Sequence, residues 1–237
     1  MKILAIDTST GTLCLGVSFE DKVYTYDLQL GTRISSLLVP TIKRVAGSLG
    51  WKIGEIDYFC CGIGPGSFTG VRVGLATVKA LSWSLRKPAA GIPSLDILAR
   101  NADHDRAYVV PVIDAKRGLV YSTIYRQKSG RLYRVTGYML LSPQELARKL
   151  KSNIPAGDLS GSVILGDGLN ICWQDCHQVA KGLKALDKDF WRLDAKNLIA
   201  AAADTIRSKK AVGAASLKPL YLYPKECQIR NKIKLSP

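Results

Sequence analysis

Histidine is scarce in this chain: only His104 and His177 occur among 237 residues. Neither has a recognisable Ser or Cys partner in the sequence, and no HxxxH pair exists to hold a catalytic metal, so histidine-based hydrolysis is not expected. The six cysteines, Cys14, Cys60, Cys61, Cys172, Cys176 and Cys227, contain no CxxC spacing. Cys172, Cys176 and His177 cluster, but no second Cys or His pair follows at a zinc-site distance. Helix packing is the expected role there, as burial in an apolar strand is for Cys60 and Cys61; no metal site is expected. No run of about eighteen apolar residues exists, which argues against a membrane span. The opening MKILAIDTST carries Asp7 and no long apolar stretch, so no signal peptide is expected, and the protein is expected to be soluble and cytoplasmic.

Acidic residues are also few, 19 Asp and Glu against 34 Lys and Arg, a net charge of +15. The deficit is uneven. Residues 1–103 hold 11 basic and 8 acidic groups, whereas 104–237 hold 23 and 11. The last 31 residues have 8 basic groups and a single acid, Glu226. Such an excess fits either an anionic partner, most simply nucleic acid bound through its phosphates, or a solubilising surface. No RRM, KH or helix-turn-helix signature accompanies it.

What the chain does have is 47% apolar residues and an alternation of strand and helix patterns. KILAIDTS, TLCLGVSFE, KVYTYDLQL, IDYFCCGIG, AYVVPVIDA, LVYSTIYRQ and SVILGDG read as strands. Helices are predicted over 35–49, with apolar residues at Leu38, Ile42, Val45 and Leu49, over 67–86, after Ser142-Pro143, and over AKNLIAAAADTIRS.

GIGPGSFTGVRVG, residues 62–74, has the glycine content of a phosphate cradle but lacks the lysine of a Walker loop. Gly66, Gly70 and Gly74 are four apart and share one helix face. Interior glycines cost about 1 kcal/mol each relative to alanine, so the three predict close approach of another backbone. Ser67 is placed to cap the helix. A helix this apolar on all sides is expected to be covered twice, by its own sheet and by helix 35–49 or a partner subunit.

Two segments match: ILAIDTSTGTLCLGV from residue 3 and VPVIDAKRGLVYSTI from residue 110. Asp7 and Gly11 correspond to Asp114 and Gly118 at one offset, 107. The repeat predicts two lobes with a cleft between them, over 1–103 and 104–211, the segment 212–237 completing the first. This pattern resembles the actin-like ATPase superfamily. The fold class expected is therefore α/β, a two-lobed actin-like ATPase (ribonuclease H-like) fold, each lobe a mixed β-sheet flanked by helices. In that superfamily two Asp-turns hold nucleotide phosphates and magnesium, and a later glycine turn packs on adenosine. Asp7, Thr8 and Ser9 form a competent first turn, and Gly166 and Gly168 stand at the adenosine turn. The second turn departs from the pattern: after Asp114 come Ala115, Lys116 and Arg117, where glycines would let bare backbone meet a phosphate. A degenerate cleft without kinase or ATPase activity is expected.

Beyond this, ILAIDTST, GIGPGSFTGVRVGLATVKAL, IPSLDILA, VIDAKRGLVYS, LSPQEL and GDG stand in the order of the TsaB family, and the chain resembles it from residue 1 to about 170, and weakly at PLYLYP, 219–224. The resemblance implies a non-catalytic actin-like subunit of tRNA threonylcarbamoyladenosine synthesis. It would pair with TsaD, a relative that carries the metal-binding histidines this chain lacks, and be joined by the ATPase TsaE. It also implies transfer of threonylcarbamoyl from its adenylate to the adenosine beside the anticodon of tRNAs reading A-starting codons. ATP and magnesium would enter at the level of the complex, with no cofactor bound by this chain. The subunit contact would use the first-lobe helices, at Leu38, Ile42, Val45, Gly70, Gly74, Leu75 and Val78, and isolated members self-associate as homodimers through them. Contact with tRNA would use basic surface. Ile34-Ser35 replaces a His–Ser pair of many relatives, 170–215 is idiosyncratic, and the basic tail from 225 is an extension. The competing reading is a small kinase or ATPase using Asp7 and Asp114 around magnesium-ATP; a metallopeptidase reading fails for want of ligands.

Overall fold

A computed structural model describes residues 1–29, 33–103 and 105–223. His104, Cys227, Pro224 of PLYLYP and the basic tail 225–237 lie outside the described residues.

The first half runs β1 (Lys2–Asp7), β2 (Leu13–Phe19), β3 (Lys22–Leu28), α1 (Ile34–Ser48), β4 (Tyr58–Gly62), α2 (Phe68–Ser84), β5 (Ala89–Ile92) and α3 (Ser94–Ala99). The second runs β6 (Tyr108–Lys116), β7 (Leu119–Ser122), β8 (Tyr125–Lys128), β9 (Arg131–Arg134), β10 (Met139–Leu141), α4 (Pro143–Asn153), β11 (Val163–Leu165), α5 (Leu169–Val179), β12 (Lys184–Ala185) and α6 (Ala195–Arg207). The first sheet has the order β3-β2-β1-β4-β5, and the main path of the second is β10-β7-β6-β11-β12. Strand directions repeat too. β1–β2 and β2–β3 are antiparallel, as are β6–β7 and β7–β10. β1–β4, β4–β5, β6–β11 and β11–β12 are parallel. The repeat legible in two Asp-turns thus extends to the whole architecture, two α/β lobes built on the same strand order.

Alternation along each strand sends its side chains to two different cores. Leu4 and Ile6 of β1 enter a cluster with Leu38, Ile42 and Val45 of α1 and Leu75 and Val78 of α2. Ile3 and Ala5 enter a second cluster that also holds Leu95 and Leu98 of α3, Leu198 and Ile199 of α6, and Val109 and Ile113 of β6. A third cluster joins Val110 and Val112 of β6 to Leu146 and Leu150 of α4 and Cys172 and Cys176 of α5. The middle cluster is an exchange. α3 packs on β6 of the second sheet, and α6 packs on β1, β2, β3 and β5 of the first. Here the structure departs from the expected division, which put all of 104–211 in the second lobe: α6 covers the first sheet. Burying one Leu or Ile there contributes about 1.5–3 kcal/mol. Near the C-terminus Val212 bridges Ala89, and Leu217 joins the first cluster.

α4 begins as its sequence predicts, with Ser142 Oγ accepting from Glu145 N and the Glu145 carboxylate accepting from Ser142 N. LVYSTIYRQ, expected as one strand, is broken into β7 and β8. Val112 pairs with Ser122 and Val109 with Tyr125, which sets Pro111 opposite Thr123. Proline has no N–H to donate to the ladder. Instead Ser122 Oγ donates to Pro111 O at 2.9 Å, and Ile124 N donates to Thr136 Oγ1 at 3.0 Å.

Candidate functional site

A cavity of about 540 Å³ lies between the lobes, lined on one side by Ser9, Thr10, Gly11 and Ser67, on the other by Asp114, Lys116, Arg117 and Asp167. The two Asp-turns face it in opposite ways.

In the first turn, the Asp7 side chain points away from the cavity and is fully buried. Its Oδ1 accepts from Ser9 N at 2.6 Å and its Oδ2 from Ser94 Oγ at 2.8 Å, while Ser9 and Ser94 hydroxyls are 2.9 Å apart. Burial raises the carboxyl above its ordinary value, partly offset by the Ser9 and Ser94 hydrogen bonds. Thr8 is equally buried and donates its hydroxyl to Gly70 O at 2.7 Å. Gly62 is what admits the carboxylate: a Cβ there would lie 1.9 Å from Asp7 Oδ2. The sequence expectation of a magnesium-competent Asp7 and a phosphate-contacting Thr8 is corrected accordingly. The turn is closed on itself, and only its Ser9-Thr10-Gly11 arc reaches the cavity.

The glycines of α2 account for that closure. A Cβ on Gly70 would sit 1.9 Å from Thr8 O, one on Gly74 2.3 Å from Thr8 Oγ1, and one on Gly66 2.5 Å from Ser9 O. What they admit is the first Asp-turn of the same chain, its backbone at Gly66 and Gly70 and the Thr8 side chain at Gly74. Ser67 caps the helix by accepting from Gly70 N, and Ser67 N donates to Ser9 O at 2.7 Å.

The second turn is open. Asp114 lines the cavity, but its Oδ1 accepts from Lys116 N at 2.7 Å and its Oδ2 from Lys116 Nζ at 2.5 Å. Desolvation pushes the Asp114 carboxyl up, and the Lys116 hydrogen bonds and charge more than offset this, holding it below the usual value. Lys116 and Arg117 both take positive φ, 66° and 56°, ahead of Gly118 at 73°, so the β6–β7 connection is a tight left-handed turn. It is shorter than its counterpart: Asp7 pairs with Cys14, whereas Asp114 pairs with Val120. Lys116 thus occupies the position from which Asp114 would hold a cation.

Gly166 and Gly168, expected against an adenosine, do not line the cavity. A Cβ on Gly166 would meet Val112 O at 2.0 Å, and one on Gly168 would meet Val112 Cβ and Val120 Cγ1 at 3.1 Å. These glycines seat α5 on the sheet. Between them Asp167 does reach the cavity, and its Oδ1 accepts from Asp114 N at 2.9 Å.

Four aromatic residues complete the cavity and escaped sequence reasoning as a group: Phe68, Tyr121, Tyr221 and Tyr223. PLYLYP was visible only as a weak family motif. In the fold, Leu220 N donates to Ile63 O, Arg72 Nε donates to Tyr221 OH at 2.8 Å, and Tyr223 OH donates to Ala115 O at 3.0 Å. One short segment therefore touches both lobes. Burial, with Tyr223 beside it, pushes the Tyr121 phenol up to about 12, so it stays neutral.

The residues expected to form a subunit contact face inward. Leu38, Ile42, Val45, Leu75 and Val78 are at most 7% exposed and form the chain's own core, while Gly70 and Gly74 pack on Thr8. The helical stripe that sequence reveals is the one seated on the sheet. The outward line of α2 is Ala76, Ala80 and Trp83, exposed residues at i, i+4 and i+7, with Trp83 74% exposed. On α1, Val39 and Pro40 are exposed. Cys172 and Cys176 are buried between α5 and its neighbours, and His177 stacks on Trp173 with ring centroids 4.9 Å apart. No helix among the described residues is long and apolar enough to cross a membrane.

The family model described as TsaD, tRNA N6-adenosine threonylcarbamoyltransferase, matches residues 32–205. The tRNA threonylcarbamoyladenosine biosynthesis protein TsaB of Bacillus subtilis is 37% identical over 136 residues, 57% of this chain and 59% of that protein. The chain's match thus spans less than two thirds of that relative. TsaB of Escherichia coli is 28% identical over 229 residues, 94% of each chain. In three dimensions, a Pseudomonas aeruginosa protein described as uncharacterized with similarity to peptidase YeaZ superposes with a TM-score of 0.83 at 23% identity, covering 94% of this chain and 99% of that one.

Proposed function

Because this chain belongs to the TsaB family, within the wider TsaD group, we propose that it is a subunit without chemistry of its own in tRNA threonylcarbamoyladenosine synthesis. It acts in the cytoplasm with TsaD and TsaE, in the complex that moves threonylcarbamoyl from its adenylate to N6 of the adenosine beside the anticodon. ATP and magnesium serve the complex rather than this chain's cleft. The observation that carries the reading is the closed Asp7: a carboxylate with no exposure, held by Ser9 and Ser94, has no path to a bound metal. Lys116 on Asp114 supports it from the other side.

The surface offered to TsaD is the outer line of α2, Ala76, Ala80 and Trp83, and the same line joins two copies when TsaD is absent. Small residues beside one large exposed aromatic suit a packed helix–helix contact. Trp83→Ser is expected to weaken co-purification with TsaD at least tenfold while the urea midpoint hardly moves; retained binding would remove α2 from the contact. Leu75→Asp is unsuited to that test, because Leu75 is 7% exposed and the change places a charge in the core.

Nucleoside mass spectrometry on bulk tRNA from depleted cells tests the function itself. Threonylcarbamoyladenosine should disappear on depletion and return with wild type and with Asp114→Asn alike. An unchanged level after depletion would overturn the family function. ATP turnover by the isolated chain that Asp114→Asn abolished would replace it with the kinase reading.

A further inference from the structure

From Ala115 to Gln144 the chain carries six basic residues, Lys116, Arg117, Arg126, Lys128, Arg131 and Arg134, and no Asp or Glu. Four of the six fall on the β8–β9 hairpin. Register pairs Arg126 with Tyr133 and Lys128 with Arg131. Directly paired residues share a face and successive residues alternate, so these four side chains stand together, while Tyr125 and Leu132 turn to the core. All four are exposed, Tyr133 by 53%. Arg126, Lys128 and Arg131 make no ion pair among the described residues. Two cations placed opposite one another on a sheet repel, and the exposed tyrosine beside them leaves the apolar part of its ring in water. Solubility alone explains neither feature.

Beside the hairpin lies a groove of about 860 Å³, whose walls include Arg131 and Gln127 on one side and Arg100, Asn197 and Arg207 on the other. The carboxylate in it, Asp204, is already held by Arg100 at 2.7 Å and Arg207 at 2.6 Å. Lys209 and Lys210 are exposed just past this end of α6.

We propose that the outer face of the β8–β9 hairpin, continued by this groove, is an RNA-backbone contact. Arg126, Lys128 and Arg131 meet successive phosphates and Tyr133 offers its ring to an unpaired base. Guanidinium groups fork onto phosphate oxygens, and aromatic side chains interleaved with cations form the usual platform for single-stranded segments. An acidic protein partner would satisfy the charges but would leave the tyrosine unexplained. That the RNA is the substrate tRNA rests on the function proposed above.

The test is fluorescence anisotropy of a labelled, unmodified tRNA transcript against the full chain across a salt series. Arg126→Glu/Lys128→Glu/Arg131→Glu should lower affinity more than tenfold and reduce the slope of log K against log salt by about 2–3, one phosphate contact being worth about 0.7–0.9. Tyr133→Ala should lose about tenfold with the slope intact, and Tyr133→Phe should restore binding, since stacking needs the ring and not the hydroxyl. The control, Lys43→Glu/Arg44→Glu/Lys52→Glu, changes charge equally on the first lobe and should bind nearly as wild type. Equal losses in the two triple variants, or none in the hairpin variant, would overturn the proposal. So would release of a protein partner by the hairpin variant with tRNA binding untouched. Because binding is read directly, its outcome is separable from the depletion experiment. Hairpin-dependent binding with unchanged threonylcarbamoyladenosine on depletion would sink the function and leave the RNA surface standing.

Discussion

Asp7 ends β1 and Asp114 lies two residues before the end of β6, equivalent places in two halves of one repeat, and each accepts from the backbone N–H two residues on, at 2.6 and 2.7 Å. Around that shared hydrogen bond everything else differs. Asp7 is sealed by Ser94 and by glycines that bring α2 onto the turn, whereas Asp114 faces a cavity and is neutralised by a lysine from its own turn. One carboxylate has become part of the core and the other half of a surface ion pair. Both carboxylates are engaged within the chain, by packing and hydroxyls in one lobe and by charge in the other.

If this contrast is right, substitutions in the first turn should cost much more than those in the second. The largest loss is expected from Gly70→Ala, which pushes a methyl to 1.9 Å from Thr8 O. Urea denaturation should show a loss of about 3 kcal/mol or more, and a loss under about 1 kcal/mol would mean that α2 does not bear on the turn.

Asp7→Ala comes next, at about 2–3 kcal/mol, because Ser9 N and Ser94 Oγ lose a buried partner. Asp7→Asn keeps the shape and most of the bonds and sharpens the point through pH. Burial raises the Asp7 carboxyl above its ordinary 3.8, so the folded state binds that proton more readily than the unfolded chain. Its contribution is therefore fully present below the unfolded value and is lost as pH rises through the raised one. Wild type should lose stability relative to Asp7→Asn as pH climbs from about 4, and a difference that is flat with pH would mean the carboxylate is not sealed.

The smallest effect is expected at the second turn. Asp114→Asn breaks a pair whose lysine is 80% exposed, so about 0.5 kcal/mol is expected. The pH trend has the opposite sign: Asp114 is held below its usual value, so its stabilisation is present above about 3.8 and fades as pH falls through the lowered one. An Asp114→Asn loss as large as that of Asp7→Ala would erase the distinction between the turns.

Much of the fold was legible because it is written in short-range pattern. The strands, the α2 cap at Ser67, the capping box of α4 and the repeat of the Asp-turns depend on neighbours a few residues apart. The glycine register of α2 announced a close backbone approach, but Thr8, its partner, lies 62 residues from Gly70. Leu75 and Trp83 are both large apolar residues on one helix, and only the position of the sheet separates core from surface. For the same reason a run without acids from 115 to 144 became a surface only when β8 and β9 brought Arg126, Lys128 and Arg131 onto one face.

By itself, then, the sequence determined the kinds of elements, their order, their repetition and the family, all carried by local periodicity and by motif residues in fixed succession. Tertiary structure alone decided that Asp7 is shut in, that α3 and α6 exchange sheets, and that the glycines near residue 166 serve packing rather than a ligand. Those outcomes turn on whether a side chain meets protein or water, and the groups that settle it, such as Ser94 against Asp7, stand 87 residues away along the chain.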